Sequence, residues 1–440
     1  MTRVLPALFL LAVASAAHAE ITPAELDRAA SALQPRVIEW RRDFHRHPEL
    51  ANREFRTSAR VAEHLRSLGL EVRTGIAHTG VAAVIEGGRP GPTILLRADM
   101  DGLPVTERTD VPFRSVATGE FRGQTVGVMH ACGHDGHMAI LMGAAEILVR
   151  MRDRLPGRIL LVFQPAEEGA PDGERGGAPL MIEEGLLDIA KPEAAFGLHL
   201  MSSLNTGTIG LRAGPFMAGS DFFQITVTGR QSHGSRPWNS VDPVVVASEI
   251  VGALQTIVSR ELDITKQPAV ITVGAFRAGV RHNIIPQSAE LLGTIRTFSP
   301  EMRAQVIDRI GALATGIAAA HGATAEFTTA PHPNPVLVND PSLTARVLPS
   351  LEAVVGRDNV RTTTLQTVAE DFAHIAQAVP SVYYFVGITP KGQDPATAPD
   401  NHADLFYVDE DGIAVGLRSL LHVAVDYLST RASEQTTKGN

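Results

Sequence analysis

The stretch "PTILLRADMD" at residues 92–101, together with the segment that follows it, decides the predicted fold. It is a continuous apolar run that ends in acids, a pattern typical of a strand buried on both faces. A helical pattern at 135–155 and a second apolar run, "GRILLVFQPAEEG" at 157–169, come next along the chain. This strand–helix–strand order predicts a parallel sheet that is covered by helices.

The same alternation extends outward from this segment in both directions. Apolar runs rich in β-branched and aromatic residues occur before it at 80–87 and after it at 194–200 and 381–388, with helical patterns along the same parts of the chain. The predicted fold class is therefore α/β, with a parallel-rich sheet and helices on both of its faces. The polar tail from residue 431 onward is expected to fray.

Residues 216–330 have a different pattern. The strand "DFFQITVTG" at 221–229 alternates apolar and polar residues, and the whole segment is ordered strand–helix–strand–strand–helix–strand. That order is the ferredoxin-like α+β arrangement. We therefore predict a satellite domain at 216–330, inserted into a first domain that comprises residues 20–215 and 331–440.

Residues 1–19 are typical of a secretory signal peptide. Arg3 precedes an apolar run, and the small–x–small triplet that ends at Ala19 matches a cleavage site. Because the run is too short for a membrane-spanning helix, we expect cleavage after Ala19. The mature chain is then expected in the periplasm or outside the cell.

The chain is acidic, with a formal net charge of −9 that becomes −10 when Arg3 is removed with the predicted signal peptide. The sequence contains no Lys/Arg-rich cluster. A chain of this kind is not expected to bind nucleic acid or an anionic membrane surface. Its single cysteine, Cys132, excludes an internal disulfide.

Side chains of the kind that bind metals lie at or near the ends of the predicted strands. The carboxyl ends of parallel strands meet at one edge of a sheet, so residues far apart in sequence are expected to converge there. Thiolate, imidazole and carboxylate are the usual ligands of zinc-class metals. The residues concerned are Asp99, Asp101, Cys132, His134, Glu167, Glu168, His199 and His402.

Each of these residues also has a simpler explanation. A lone cysteine is usually a small core residue, and a histidine at a strand end is usually only hydrogen-bonded. Adjacent carboxylates usually form a solvated face, but Glu167 and Glu168 also suit two separate tasks, one as ligand and one as proton carrier. The sequence lacks the second cysteine of a zinc deaminase and the G-x-S-x-G of a serine hydrolase, which excludes both classes.

Longer motifs around these residues resemble one family. "LRADMDGLP" at 96–104, "HACGHDGHMA" at 130–139, "FQPAEEG" at 163–169 and "GLH" at 197–199 are similar to the N-acyl amino acid amidohydrolases. That family includes hippurate hydrolases and auxin-conjugate (IAA-amino acid) hydrolases, within the aminoacylase–carboxypeptidase superfamily of dinuclear metallopeptidases. The resemblance covers nearly all of the predicted mature chain. It implies a zinc-peptidase-like catalytic domain with an inserted dimerisation domain.

The resemblance also implies roles for the matching residues. Glu167 would be the general base and acid, and Asp101 would orient the ligands through hydrogen bonds. The two divalent ions per subunit would be zinc or manganese, with cobalt or nickel also compatible, and a thiolate ligand favours zinc. Their implied ligands are Cys132, His134, Glu168, His199 and His402.

Three residues of the satellite segment match family positions that contact the substrate. His233 would stabilise the oxyanion, either within its own chain or across a subunit interface. Asn283 and Arg296 would bind the substrate, and a guanidinium suits its carboxylate. Trp238 replaces a second histidine of the family and, with the loop at 212–219, indicates an apolar or aromatic acyl pocket.

The sequence therefore predicts a metal-dependent amidohydrolase whose small-molecule substrates are N-acyl amino acids. The resemblance also implies a homodimer or a higher homo-oligomer. Two alternatives remain open, namely a dipeptidase or carboxypeptidase of the same superfamily and a non-catalytic relative that only binds a ligand. Glu370 and Asp371 match family positions as well, but the sequence defines no role for them.

Overall fold

A computed structural model describes residues 20–330 and 333–438, so the predicted signal peptide lies outside the described residues. The helices are α1 (Pro23–Arg46), α2 (Phe55–Ser67), α3 (His134–Arg150), α4 (Gly177–Glu183), α5 (Pro243–Thr256), α6 (Pro300–Ala320), α7 (Pro341–Val355), α8 (Phe372–Ala378) and α9 (Glu410–Lys438). The strands are β1 (Val72–Ile76), β2 (Gly80–Glu86), β3 (Arg89–Asp99), β4 (Thr118–Phe121), β5 (Gln124–Gly127), β6 (Pro156–Gln164), β7 (Ala194–Asn205), β8 (Ile209–Leu211), β9 (Gly214–Met217), β10 (Gly219–Thr228), β11 (Ser232–His233), β12 (Val270–Ala278), β13 (Ile284–Ile285), β14 (Ser288–Thr297), β15 (Thr324–Thr329), β16 (Leu337–Asn339), β17 (Val360–Thr362) and β18 (Ser381–Thr389).

The largest sheet has eight strands in the order β1-β2-β6-β3-β7-β18-β8-β17. Its central strands, β6-β3-β7-β18, run parallel to one another. Successive side chains of a strand point to opposite faces, and in β3 Ile94 and Leu96 enter one hydrophobic core whereas Leu95 enters the other. Helices α1, α3 and α9 cover the first face, and α4 and α8 cover the second. The predicted α/β class is confirmed.

The second sheet has the strand order β12-β14-β10-β15, and all of its pairs are antiparallel. Burial alternates along β10, where Phe223, Ile225 and Val227 are buried beneath α5 and α6. The order β10-α5-β12-β14-α6-β15 along the chain is the predicted ferredoxin-like arrangement. The domain boundaries at residues 216 and 330 stay a prediction.

One helical segment within the described residues, Pro243–Glu261, is long and apolar enough to span a membrane by composition, with a mean hydropathy of 1.2. Its inner side packs on the second sheet, where Val246, Ile250 and Leu254 are buried. Packing of this kind requires an apolar helix face in the absence of any bilayer. That the mature chain binds no membrane stays a prediction.

The prediction of a frayed C-terminal tail is wrong for residues 431–438, because α9 continues to Lys438, and residues 439–440 lie outside the described residues. Polar side chains hold this end of the helix. Arg431 Nε donates to Glu193 Oε1 at 3.0 Å, and Arg431 Nη1 donates to Glu434 Oε2 at 2.8 Å. Composition alone did not reveal these partners, since Glu193 lies more than two hundred residues earlier.

The expectation that His199 lies near the end of its strand is also wrong. Strand β7 continues to Asn205. The pairing of Arg97 with Gly197 places His199 level with Asp99, the last residue of β3. His199 therefore still lies at the edge where β3 and β6 end, because β7 and its other neighbour, β18, extend beyond β3 and β6.

Candidate functional site

The predicted metal ligands reach one point from separate segments of the chain. A short loop carries the pair Glu167 and Glu168 beyond the end of β6. Cys132 lies in the turn before α3, and His402 lies in the loop between β18 and α9. His199 reaches the same point from β7. The edge of the parallel sheet thus positions side chains that are up to 270 residues apart.

Short distances join the five predicted ligands. Cys132 Sγ lies 3.3 Å from His199 Nε2 and 3.2 Å from His402 Nε2. Glu168 Oε1 lies 3.0 Å from His402 Nε2 and 4.0 Å from His134 Nε2. Cys132, His134 and His199 form one possible three-ligand group, and Cys132, Glu168 and His402 form another. The structure therefore brings all five residues together, with Cys132 common to both groups.

Hydrogen bonds aim the imidazole rings into the cluster. His199 Nδ1 lies 2.9 Å from the Leu200 carbonyl oxygen, and His134 Nδ1 lies 2.8 Å from the Asp101 carbonyl oxygen. A ring that donates from Nδ1 presents the lone pair of Nε2. His134 Nε2 is buried and has no hydrogen-bond partner among the described residues. These hydrogen bonds therefore favour the ring orientations and the Nδ1-protonated tautomers that a divalent ion requires.

Backbone conformation places two of the ligands. Gly133 has φ of +93° between Cys132 and His134, and a Cβ atom there would lie 3.3 Å from the Leu200 Cβ. Glycine therefore suits this tight turn. His402 has φ of +73° and donates its backbone N–H to the Ala131 carbonyl at 2.8 Å. A left-handed histidine is uncommon, and positions of this kind are concentrated at functional sites.

Asp101 holds the segment that carries both glutamates. Its Oδ1 accepts the backbone N–H of Glu167 at 3.1 Å, and its Oδ2 accepts that of Glu168 at 3.0 Å. Asp101 is almost completely buried, so its carboxylate has little solvent to compete with these bonds. The residue thus orients the glutamates and, through its carbonyl oxygen, His134.

The electrostatics of the cluster favour a bound cation. Burial lowers the pKa of His134, but the carboxylates of Asp99 and Asp101 outweigh burial and raise that pKa to about 10. Burial and the charge of Glu168 hold the pKa of the Cys132 thiol well above its usual range. A divalent ion would replace the proton on His134 and stabilise the thiolate, since metals deprotonate coordinating thiols. The donor set therefore fits a pair of divalent metals.

Glu167 lies beside the cluster and differs from Glu168 in its surroundings. Only 9% of its side chain is exposed, and its Oε2 lies 3.9 Å from His134 Nε2. Glu370 and Asp371 each place a carboxylate oxygen within 4.8 Å of it. Burial, then the charges of Glu370 and Glu168, raise the pKa of Glu167 well above its ordinary value. A raised pKa is typical of a carboxyl group that exchanges protons.

Glu370 and Asp371, for which the sequence defined no role, bind a buried arginine. Arg97 Nη2 donates to Glu370 Oε1 at 2.8 Å and to Asp371 Oδ1 at 3.0 Å, and Arg97 Nη1 donates to Asp99 Oδ2 at 2.6 Å. Tyr383 also donates to Glu370 Oε2 at 2.6 Å. Arg97 was missed, although a charged residue inside the apolar run "ILLRAD" signals a buried ion pair.

His137, which belongs to the same motif as Cys132 and His134, has other partners. Its Nδ1 lies 2.6 Å from Asp99 Oδ1, and its Nε2 accepts the Leu200 N–H at 2.8 Å. Both ring nitrogens are occupied, so His137 supports the site and leaves the ligand positions to its neighbours. Asp99 in turn connects His137 to Arg97.

A cavity of about 620 Å³ opens onto the cluster. Four of the predicted ligands and Glu167 line it, and so does Arg296 from β14. Arg296 Nη1 donates to the hydroxyl of Ser220, and within the described residues Arg296 forms no ion pair. The nearby acid, Asp221, is bound by Arg303 at 2.6 Å. Arg296 is thus a cation that faces the cavity without a carboxylate partner.

The structure does not bring the other satellite residues to this cavity. His233 lies on β11, which pairs with β13 next to Asn283, and neither residue lines the cavity. His233 Nδ1 accepts the backbone N–H of Ser235 at 3.1 Å. Trp238 is 75% exposed and does not line this cavity, whereas Met217 of the loop at 212–219 does. The apolar or aromatic acyl pocket indicated by these residues stays a prediction.

Comparisons with known proteins agree with this geometry. The profile of peptidase family M20/M25/M40 matches residues 95–426. The chain is 39% identical over 395 residues to thermostable carboxypeptidase 2 of Saccharolobus solfataricus, which covers 89% of this chain and 95% of that protein. It is 40% identical over 307 residues to N-acyl-L-amino acid amidohydrolase of Geobacillus stearothermophilus, which covers 70% of this chain and 79% of that protein.

A solved structure is also similar to this fold. The Bacillus subtilis YXEP protein, a dinuclear metal binding peptidase from the M20 family, has a TM-score of 0.74 and 33% sequence identity. The match covers 91% of this chain and 99% of that one. The likeness extends over both sheets, since it leaves out less than a tenth of the chain.

Proposed function

The chain belongs to peptidase family M20/M25/M40, and from this membership we propose that it is an exported dinuclear amidohydrolase that cleaves N-acyl amino acids. Membership makes the chain a metal-dependent hydrolase that acts on amide bonds. The observation that carries the finer proposal is the position of Glu167, a buried carboxyl group beside five converging metal ligands.

Cys132, His134, Glu168, His199 and His402 would hold the metal pair. Two divalent ions, when bound, supply Lewis acidity and activate water near neutral pH. Zinc and manganese are the proposed metals, since the thiolate favours zinc and the remaining imidazole and carboxylate ligands accept either.

Glu167 would move the proton of the reaction. Its carboxylate takes a proton from the attacking water and later gives that proton to the leaving nitrogen of the substrate. Burial and the neighbouring carboxylates raise the pKa of Glu167, as is typical of a carboxyl group that exchanges protons. Asp101 keeps Glu167 in position through the backbone N–H of that residue.

The satellite sheet would supply the contacts to the rest of the substrate. Arg296 faces the cavity, forms no ion pair within the described residues, and is suited to the α-carboxylate of an amino acid. His233 would stabilise the developing oxyanion, and Asn283 beside it would bind substrate. Both residues lie outside the cavity of this chain, so their contribution requires a movement of the satellite sheet or a second subunit.

A carboxypeptidase is the second candidate function, and a dipeptidase belongs to the same alternative. The 39% identity to thermostable carboxypeptidase 2 over 89% of this chain favours it. Both functions need Arg296 for a carboxylate. They differ in the group on the other side of the scissile bond. In an N-acyl amino acid this is an uncharged acyl group, whereas in a dipeptide or longer peptide it carries a free amine or further residues.

A substrate panel on zinc- or manganese-loaded protein tests the proposal. We expect N-acetyl and N-benzoyl amino acids to be hydrolysed faster than dipeptides with a free amino terminus. Chelation should abolish turnover, and added zinc or manganese should restore it. Preference for the free dipeptides would favour the second candidate, whereas no turnover by metal-loaded protein would indicate a non-catalytic relative.

A homodimer or higher oligomer is part of the same proposal. Apolar side chains on α5 and on the edge strand β12 support it, since Val245 is 54% exposed, Val270 40% and Phe276 41%. Exposed apolar surface of this kind is typical of interaction sites. Sedimentation of the mature chain as a monomer would contradict it and would also exclude action of His233 across subunits.

Export to the periplasm or the exterior is proposed from the pattern of residues 1–19 alone. Amino-terminal sequencing of the protein recovered from a periplasmic fraction should begin at Glu20. Recovery from the cytoplasm with an intact Met1 would contradict this part of the proposal.

A further inference from the structure

A second cavity adjoins the first at the metal-ligand cluster. It has a volume of about 350 Å³, within the range of sites that hold small ligands. The two cavities share Glu168 and Gly169 and no other lining residue. Gly169 has φ of +107°, and a Cβ atom built there would meet nothing within 4 Å. Both cavities therefore border Gly169, beside a predicted metal ligand, and no neighbouring atom lies close to the position of its missing side chain.

Three of the segments that line this second cavity present apolar side chains to it. The first is the turn at Leu50 and Ala51, the second is Leu103 and Pro104 after β3, and the third is Phe121 at the end of β4. Phe121 is 37% exposed although it lies in a hairpin strand. A large apolar side chain at the rim of a concave site commonly contacts an apolar ligand.

Ion pairs neutralise the two arginines of the second cavity. Arg122, in the turn after Phe121, lies 3.2 Å from Asp172 Oδ2, and Arg53 lies 2.5 Å from Glu174 Oε1. The Arg122 pair also joins the hairpin to the loop that follows Glu168, across the cavity.

The charges that remain in the second cavity are negative. Glu120 has a hydrogen bond from the Thr125 hydroxyl at 2.6 Å and forms no ion pair among the described residues. The second cavity therefore offers no free cation to an α-carboxylate. The first cavity is also lined by acids such as Glu370 and Asp400, but it contains Arg296, which forms no ion pair among the described residues. This difference in charge assigns a direction to a substrate that lies across Glu168.

We propose that the second cavity is the subsite for the acyl group of the substrate and that it accepts uncharged, apolar acyl groups larger than acetyl. This inference rests on the proposed function, because it takes the scissile amide to lie beside Glu168. The amino acid half then lies in the first cavity with its carboxylate at Arg296, and the acyl half extends past Gly169 toward Phe121.

Two substitutions test the subsite in opposite ways. Ala51→Phe fills the cavity, and Phe121→Ala removes one of its apolar walls. Phe222→Ala is the matched control, since Phe222 is also a half-exposed phenylalanine on a strand, at 46% exposure, and lines neither cavity. Unfolding temperature and metal content establish that each variant is folded and loaded.

The measurement is kcat/KM of metal-loaded protein on two substrates that share one amino acid, an N-octanoyl and an N-acetyl derivative. Ala51→Phe should lower the value for the octanoyl substrate about tenfold or more, and Phe121→Ala should lower it about fivefold. Both should leave the acetyl substrate within about twofold of wild type, as should Phe222→Ala for either substrate. Equal losses on both substrates, or no loss on either, would overturn the subsite.

Calorimetric binding of octanoate and acetate to metal-loaded protein separates this inference from the proposed function. Octanoate should bind more tightly than acetate, and Ala51→Phe should remove most of the difference. A protein that hydrolyses no acyl amino acid but keeps this pattern would refute the function and retain the apolar site. A protein that hydrolyses acyl amino acids with no sensitivity to Ala51→Phe would refute the site alone.

Discussion

The two sheets of this molecule hold their candidate site residues in different ways. At the edge of the eight-stranded sheet, His199 and His402 each place Nε2 within 3.3 Å of Cys132 Sγ, and a buried hydrogen bond to the Leu200 carbonyl oxygen orients the His199 ring. In the satellite, the exposed His233 lies on the short strand β11 and Asn283 lies in the turn before β13, and neither residue lines the cavity.

This difference separates the part of the site that one domain forms alone from the part that needs both domains. Buried strand ends converge by the geometry of the sheet itself, so the ligands come together when the sheet forms. A residue on the satellite reaches them only through the relative placement of two bodies. Substitutions in the two domains test this difference, and the largest loss of activity is expected at Glu167.

Glu167→Gln tests the cluster of candidate ligands at the edge of the eight-stranded sheet. The amide cannot carry the proton, so kcat should fall by about 10³-fold or more. Metal content, measured by elemental analysis, should stay at the wild-type level because Glu167 is outside the ligand set. Retention of full activity would remove Glu167 from its proposed role, and loss of metal would make it a ligand.

His233→Ala tests whether the satellite domain contributes a residue to the reaction. Loss of one oxyanion contact should lower kcat about 10²-fold, with metal content and unfolding temperature unchanged. If His233 acts across subunits, mixing this variant with Glu167→Gln should restore measurable activity, because a mixed dimer contains one complete site. No restoration would place the histidine in its own chain, and wild-type kcat in the single variant would exclude the residue from the reaction.

Asp101→Asn tests whether the sheet-edge cluster is preorganised. An amide offers a single acceptor oxygen in place of two, so one of the N–H bonds from Glu167 and Glu168 is lost. Metal affinity should fall about tenfold to a hundredfold, measured by competition with a chelator. Asp404→Asn is a surface control, since Asp404 pairs with the exposed Arg108, and it should leave the affinity unchanged.

Arg296→Met tests the charge that the satellite places at the first cavity. KM should rise about tenfold for substrates with an α-carboxylate, because a charged pair is lost. Substrates whose carboxylate is replaced by a carboxamide should show little change between the two proteins. An equal rise in KM for both substrates would indicate that Arg296 only supports the fold.

His45→Gln tests the buried support beneath α3. Burial and then Arg41 lower the pKa of His45, but Asp135, at 2.8 Å, and Glu107 outweigh them and raise it above 6.5. The stabilisation that follows from a raised pKa in the folded state is fully present below pH 6.5, and it is lost as pH rises through the folded-state pKa. The difference in urea midpoint between wild type and variant should therefore shrink from pH 6 to pH 9, and a growing difference would contradict this account.

How much of this could be predicted from the sequence depends on the range of the interactions. The continuous apolar runs of β3 and β6 and the periodic helix between them report local burial, so the parallel sheet was predictable. The motif around Cys132 and His134 could also be recognised from the sequence, because its residues are close together along the chain. The resemblance to a family also named all five candidate ligands, and the structure brings them together, although His402 lies in a loop 270 residues from Cys132.

The support of the site was not predictable. Arg97 binds Glu370 and Asp371, more than 270 residues away, and local pattern carries no information about such partners. The role of His137 depends on the Leu200 N–H, which β7 supplies only after folding. The C-terminal end of α9 was missed because its polar residues are ordered by ion pairs rather than by apolar periodicity.

We propose that the edge of the parallel sheet holds two divalent ions, with Glu167 beside them. Their ligands would be Cys132, His134, Glu168, His199 and His402. Anomalous diffraction from crystals of zinc-loaded protein measures this most directly. The account predicts two peaks per subunit, both within about 2.5 Å of atoms of the five ligands, and none bound by His137. One peak, or peaks bound by His233, Glu370 or His137, would contradict it.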